Sequence, residues 1–143
     1  MKNKIISFDF DSTLSRKTVQ MFAKELIDKG FEIIIVTSRF ENEEKYFEFF
    51  GDNENWNVYS QVCNLHQDLF CIADILGIKR IYFTNFEFKA KLLKELNKKE
   101  EILFHLDDNR EELDEINRIN IKAISSLGPT WKGKCEKILK KRR

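Results

Sequence analysis

Apolar residues recur along this chain with two alternating periods, and each change of period marks a new element. Lys4 to Phe10 reads as a strand that ends among Asp9 and Asp11. From Thr18 to Lys29 the apolar residues Val19, Phe22, Ala23 and Leu26 share one face of a helix, and Gly30 stops it. Glu32 to Thr37 (EIIIVT) is a continuous β-branched run, as expected of a strand buried on both faces. Asn42 to Phe50 reads as a helix stopped by Gly51. Asp52 to Val62 is polar and carries no clear period; a loop with a short strand at Asn57–Ser60 fits it. Leu65, Leu69, Ile72, Ala73 and Leu76 then mark a helix ending at Gly77. Arg80–Thr84 is a strand and Phe88–Asn97 a helix with Leu92, Leu93 and Leu96 inward. Glu101–Leu106 is a strand followed by a second acidic pair, Asp107 and Asp108. A helix at Arg110–Arg118, a short strand at Ile121–Ile124 and a helix from Trp131 complete the chain.

Strands alternating with helices predict an α/β protein: a Rossmann-like three-layer αβα sandwich around a central, mostly parallel five-stranded sheet. The 143 residues suit one domain, 1–143, and no repeat or low-complexity linker divides them. In such sheets ligands bind at the carboxyl ends of the strands, near the reversal of strand order. Four strands here deliver polar groups to that edge: Asp9 and Asp11, Thr37 and Ser38, Thr84 and Asn85, Asp107 and Asp108. Carboxylates gathered in a low-dielectric crevice repel one another, and a hard divalent cation removes that penalty. Oxygen ligands of this kind suit Mg²⁺, which keeps positions open for water or phosphate. One aspartate is then free to act as a nucleophile and another as an acid–base. An isolated Asp pair would read as a turn cap; two pairs, each ending an apolar strand, argue for chemistry.

At this point the residues carry a resemblance. "FDFDSTL" resembles the first motif, DxDx[TV], of the haloacid dehalogenase (HAD) superfamily. "IIIVTSR" resembles its second motif, "FKAKLLKEL" its third and "ILFHLDDN" its fourth. The four occur in the family's order over Ile5 to about Asn109. The resemblance implies that Asp9 is a nucleophile forming an aspartyl phosphate, and that Asp11 protonates the leaving group and then activates water. It implies phosphate binding by Thr37, Ser38 and Lys89, with Lys91 as the alternative lysine. It implies Mg²⁺ held by Asp9, Asp108 and the Asp11 carbonyl, with Asp107 as a further ligand or a support, and a loop braced by Thr13. Ser12 stands where many members have Gly, a departure that matters if the position needs a positive φ.

Family members that act on small metabolites often carry a cap domain after the first or third strand. Leu14–Phe31 and Thr84–Lys89 leave no room for one, so a capless, open site is expected, closed by loops, by the substrate or by a homo-oligomeric neighbour. The function implied is a Mg²⁺-dependent phosphomonoester hydrolase. The alternatives are a phosphotransferase on the same fold and a non-catalytic binding or regulatory protein. Dehalogenation is disfavoured because Asp11 is present.

Composition adjusts this picture in three places. No apolar stretch is long enough to span a bilayer and no signal-peptide core follows Lys4, so a cytoplasmic protein without a membrane partner is expected. Cys63, Cys71 and Cys135 fit neither a disulfide framework nor a zinc site, and the first two read as reduced core thiols. The net charge of +1 conceals a basic C-terminal helix or tail, 132–143, with seven cations and one acid. Its cations complement a helix dipole. They also raise a phosphate-rich partner, a nucleotide or a phosphorylated nucleic-acid end. His66 and His105 are isolated in sequence; His105, within an apolar strand, reads as a satisfied buried residue. The acids of 107–115 read mostly as a solvated helix face, with Asp114 the one within reach of the metal's surroundings, and Phe47 and Phe50 read as core.

Overall fold

The computed structural model describes residues 2–51 and 66–141, and its strands form where the β-branched runs lie. They are β1 (Asn3–Phe8), β2 (Glu32–Thr37), β3 (Arg80–Phe83), β4 (Glu100–Asp107) and β5 (Ala123–Ser125). The helices are α1 (Lys17–Asp28), α2 (Glu43–Phe50), α3 (Gln67–Leu76), α4 (Lys89–Lys99), α5 (Arg110–Arg118) and α6 (Trp131–Lys141). The strand expected at Asn57–Ser60, Cys63 and the terminal Arg142 and Arg143 lie outside the described residues.

The strands pair in the order β3-β2-β1-β4-β5, and every pairing is parallel. Alternation along β1 sends Ile6 and Phe8 to one face and Ile5 to the other. On the first face α1, α3 and α6 pack with Phe22, Leu69 and Trp131. On the second, α4 and α5 pack with Leu93 and Ile116. Each fully buried Ile or Phe contributes about 1.5–3 kcal/mol, so the central strands are the stiffest support available for side chains placed at their ends. Between β1 and β2 the chain makes one wide turn, Phe10–Leu14, and α1; between β3 and α4 it has only residues 84–88. None of the described helices is long and apolar enough to cross a membrane.

β1 stops at Phe8, two residues before the expected end. Leu14 N–H bonds to the Asp9 carbonyl (3.2 Å) and Ser15 N–H to that of Phe10 (2.9 Å), so the aspartates lie on a turn rather than in the sheet. Cys71 is exposed, against expectation, because the buried stripe of α3 is Leu69 and Ala73 and residue 71 falls between them. Cys135 is buried on α6, and burial pushes its thiol up to about 12. Phe50 is likewise exposed, and Tyr46 is the aromatic that α2 buries.

At the amino edge a polar clasp crosses four strands. Arg80 donates to both Glu100 oxygens (2.7 and 2.6 Å) and to Glu32 (3.2 Å), and the Asn3 amide joins Glu32 to Glu100 (3.0 Å each). The Arg80 hydrogen bonds hold the Glu100 carboxyl down to about 2. A carboxyl depressed in the folded state stabilises it above the unfolded pKa, and that contribution is lost as pH falls through the folded value. Acid titration of stability should therefore show a loss between about pH 5 and pH 2. In Glu100→Gln that loss should shrink by on the order of 1–2 kcal/mol, a figure discounted for partial solvent contact. An unchanged acid limb in Glu100→Gln would refute the assignment.

Candidate active site

Strand order reverses at β1, which leaves a crevice at the carboxyl ends of β1 and β4. Asp9 follows β1, its N–H donating to the Leu106 carbonyl (2.9 Å), and Asp107 ends β4. Because the β3–α4 connection is short, the first residue of α4, Lys89, projects into the same crevice. Its Nζ lies 2.7 Å from Asp9 Oδ1, 2.6 Å from Asp107 Oδ2 and 3.7 Å from Glu112 Oε2, and the residue is only 2% exposed. Burial alone would push the ammonium down; Asp9 and Asp107 outweigh it and hold Lys89 above its ordinary value.

Asp107 is held from behind as well. His105 Nε2 bonds to Asp107 Oδ2 (2.8 Å), so that nitrogen carries the proton, and Nδ1 accepts from the Ser7 hydroxyl (2.7 Å). Ser7 and His105 are register partners on neighbouring strands, and both are fully buried. Burial lowers the His105 pKa and favours this neutral tautomer. Asn109 N–H takes Asp107 Oδ1 (3.0 Å). Despite burial, these bonds keep Asp107 ionised, well below the usual carboxylate range. Asp9 is pushed the other way, first by burial and then by Asp107 and the approaching carboxyl of Asp108, with Lys89 opposing.

Oxygens of Asp9, Asp107 and Asp108 lie within 4.8 Å of one another. This all-oxygen set resists a second negative charge at Asp9 and fits a hard divalent cation. Asp107 already spends both oxygens on Lys89, His105 and Asn109, which leaves Asp9 and Asp108 the freer ligands.

The turn after Asp9 carries Asp11 and Ser12. Ser12 adopts φ +60°, the left-handed region that glycine would enter more easily, and its N–H donates to Ser15 Oγ (3.0 Å). Thr13 is buried against Ser126, 3.0 Å between hydroxyls, and braces the turn as expected. The Asp11 side chain, 57% exposed, is gripped by Arg39 through two bonds, Nε to Oδ2 (2.9 Å) and Nη2 to Oδ1 (2.7 Å). Asp68 grips the same guanidinium at 3.0 Å twice, and Phe10 lies 5.0 Å beneath it. His66 Nε2 meets the Phe40 carbonyl at 2.8 Å, which makes it a donor and leaves Nδ1 to accept from Arg39 Nη1 (3.3 Å). The Arg39 hydrogen bonds hold the Asp68 carboxyl below its usual range. A planar guanidinium fixed in this way presents its fork in one orientation.

Asp9, Asp11, Ser38, Lys89, Asp107 and Asp108 all border one cleft of about 400 Å³. Thr37 is fully buried, and its hydroxyl accepts from Arg39 N–H (3.3 Å). Lys91 is exposed and borders a neighbouring hollow, so Lys89 is the lysine at the carboxylates. Asp114 pairs with Arg110 at the surface, and Glu112 turns inward in its place. The described end of the basic tail lies elsewhere: α6 places Lys140 beside Lys29 and Phe31, at the amino edge of the sheet.

Ser7, Arg39, Glu112, Asp68 and His66 escaped sequence reasoning as site residues. Arg39 follows the "VTS" strand end and Glu112 stands three residues after the Asn109 cap, so both had local signals. Asp68 and His66 meet the site only through tertiary contact with Arg39.

No protein-family model matches the chain, and no curated protein sequence matches it. Among solved structures it is similar to the NMR structure of the core domain of a "putative phosphoglycolate phosphatase" from Streptococcus pneumoniae TIGR4. The two share 13% identity with a TM-score of 0.49, over 93% of this chain and 86% of the other.

Removing one partner from a buried ion cluster leaves unpaired charge, at a cost of about 3–5 kcal/mol. Lys89→Ala should therefore lower unfolding free energy by about that amount. Added Mg²⁺ should recover part of the loss by binding the bared carboxylates. Chemical denaturation with and without Mg²⁺ measures both effects, and a loss below about 1 kcal/mol would contradict the pairing.

Proposed function

We propose that this protein is a phosphomonoester hydrolase of the HAD type, with an uncapped cleft and Mg²⁺ bound by Asp9 and Asp108. The observation that carries the reading is Lys89, lodged between two buried carboxylates at adjacent strand ends, with Asp11 and Asp108 on the same cleft. A purely structural protein has little use for so many acids in one crevice, since burying charge is costly even when it is paired.

In this reading an Asp9 carboxylate oxygen attacks phosphorus, the ester P–O bond breaks, and an aspartyl phosphate forms. Asp11 donates a proton to the departing oxygen, then takes one from the water that attacks phosphorus and regenerates Asp9. Lys89 stands where negative charge accumulates as these bonds change, and Ser38 supplies a hydroxyl at the cleft wall. Mg²⁺, when bound, would neutralise the carboxylates and the phosphoryl oxygens. Ser7 and His105 keep Asp107 ionised and Lys89 fixed. Arg39 orients Asp11 and is itself oriented by Asp68. In this reading a nucleotide or a phosphorylated nucleic-acid end is the substrate proposed for an open cleft of this kind.

Asp9→Asn should abolish hydrolysis of p-nitrophenyl phosphate while unfolding stays cooperative, and exhaustive chelation should silence the wild type until Mg²⁺ is restored. Near wild-type turnover in either experiment would overturn the mechanism.

Asp11 has a more selective signature. A poor alkoxide leaving group needs its proton and a dinitrophenolate does not. Asp11→Asn should therefore slow an alkyl phosphate by about 10²-fold or more relative to 2,4-dinitrophenyl phosphate. A uniform loss on both esters would remove Asp11 from the acid role.

A further inference from the structure

Two phenylalanines stand at the mouth of the cleft, and both stay half exposed although Phe86 packs against Phe40, Phe49 and Phe50. Phe86 and Phe88 border it directly and are 60% and 50% exposed. Phe86 also lies in the left-handed region at φ +69°, directly after Asn85 at +55°. Asn enters that region readily, whereas a bulky side chain there is an outlier that glycine would relieve.

The conformation is imposed from the loop after β2. Asn85 N–H donates to the Arg39 carbonyl (3.2 Å) and Phe86 N–H to the Ser38 carbonyl (2.8 Å). Glu41 N–H takes the Asn85 side-chain oxygen (2.9 Å). The turn is thereby stitched to the segment that carries Ser38 and Arg39. Its strained residue holds a ring nearly parallel to Phe40, with centroids 5.8 Å apart and planes 9° apart. A buried ring backs an exposed ring at the edge of a site lined, Phe88 apart, by charged and polar residues. Backbone strain and water-exposed apolar surface coincide at one place, and that place faces the cleft.

We infer that Phe86, with Phe88 beside it, is the stacking platform for the leaving group of the substrate, and that this group carries a flat aromatic ring such as a nucleobase. The inference rests on the hydrolase reading above. The acids and Lys89 take the phosphoryl group at the floor, so the part of the ester that reaches the rim is its organic half. Glu87 and Glu111 border the same cleft and disfavour additional phosphates there. The fitting substrate class is therefore a ring-bearing monophosphate, in preference to a sugar phosphate or an oligophosphate.

Adenosine 5′-monophosphate and ribose 5-phosphate share their reacting phosphate and differ by the base, so their KM ratio isolates the platform. The nucleotide KM should be about ten-fold or more below that of the sugar phosphate, the range a single base–aromatic stack supplies. Phe86→Gly should collapse the ratio toward one, and Phe86→Tyr should restore it. Equal KM values in the wild type overturn the inference. So does a Phe86→Gly protein that loses melting temperature and both activities together, since Phe86 would then be structural.

If neither ester is hydrolysed, the hydrolase reading fails on its own and binding decides the platform. Adenosine should shift the Phe86 and Phe88 amide resonances, and their silence overturns the inference. A concentration-dependent dimer that Phe86→Gly abolishes would make the patch an interface between copies, and overturns it too.

Discussion

One ammonium group ties the carboxyl ends of the two central strands together. Lys89 sits buried between Asp9 and Asp107, so each of the three charges is tolerable only because the others are present. The surroundings serve that arrangement. Ser7 and His105 fix Asp107 from within the sheet, Glu112 closes the far side, and the short β3–α4 turn starts the helix at the residue that must reach inward. The atoms that hold the strand ends together are therefore the same ones to which the proposed chemistry is assigned.

Asp9 and Asp11 are two residues apart, yet different cations answer them. Lys89 arrives from α4 and Arg39 from the loop after β2. A turn carrying both aspartates is thus pinned from two directions, which lets Ser12 hold a left-handed backbone between them. The division also separates roles. One carboxylate is drawn into the dry floor of the cleft, and the other is kept at its wet edge in a fixed orientation.

The sheet was legible in the sequence because buried parallel strands need continuous apolar runs, and EIIIVT and EILFHL are such runs. The acidic pairs were legible because local pattern sets their positions at strand ends, whereas Lys89 was reached through the motif resemblance, with Lys91 as the alternative. Boundaries moved where hydrogen bonding overrode hydrophobicity, as at Phe10, which is buried in the turn rather than in β1. Cys71 was misjudged by a shift of two positions around the helix. Asp68 and His66 were not readable at all. Nothing near them in sequence shows that α3 is packed where its first turn reaches Arg39.

The direction of α6 has a consequence for the molecule as a charged body. Parallel strands collect their acids at one edge, Asp9, Asp11, Asp107, Asp108, Glu111 and Glu112. The opposite edge gathers Lys2, Lys29, Lys140 and the end of α4 with Lys98 and Lys99. Among the described residues the cleft edge is thus crowded with acids, whereas the amino edge mixes its lysines with Glu32, Glu100 and Glu136. Any anion approaching that cleft edge meets repulsion from these carboxylates before it can reach Lys89 or Arg39.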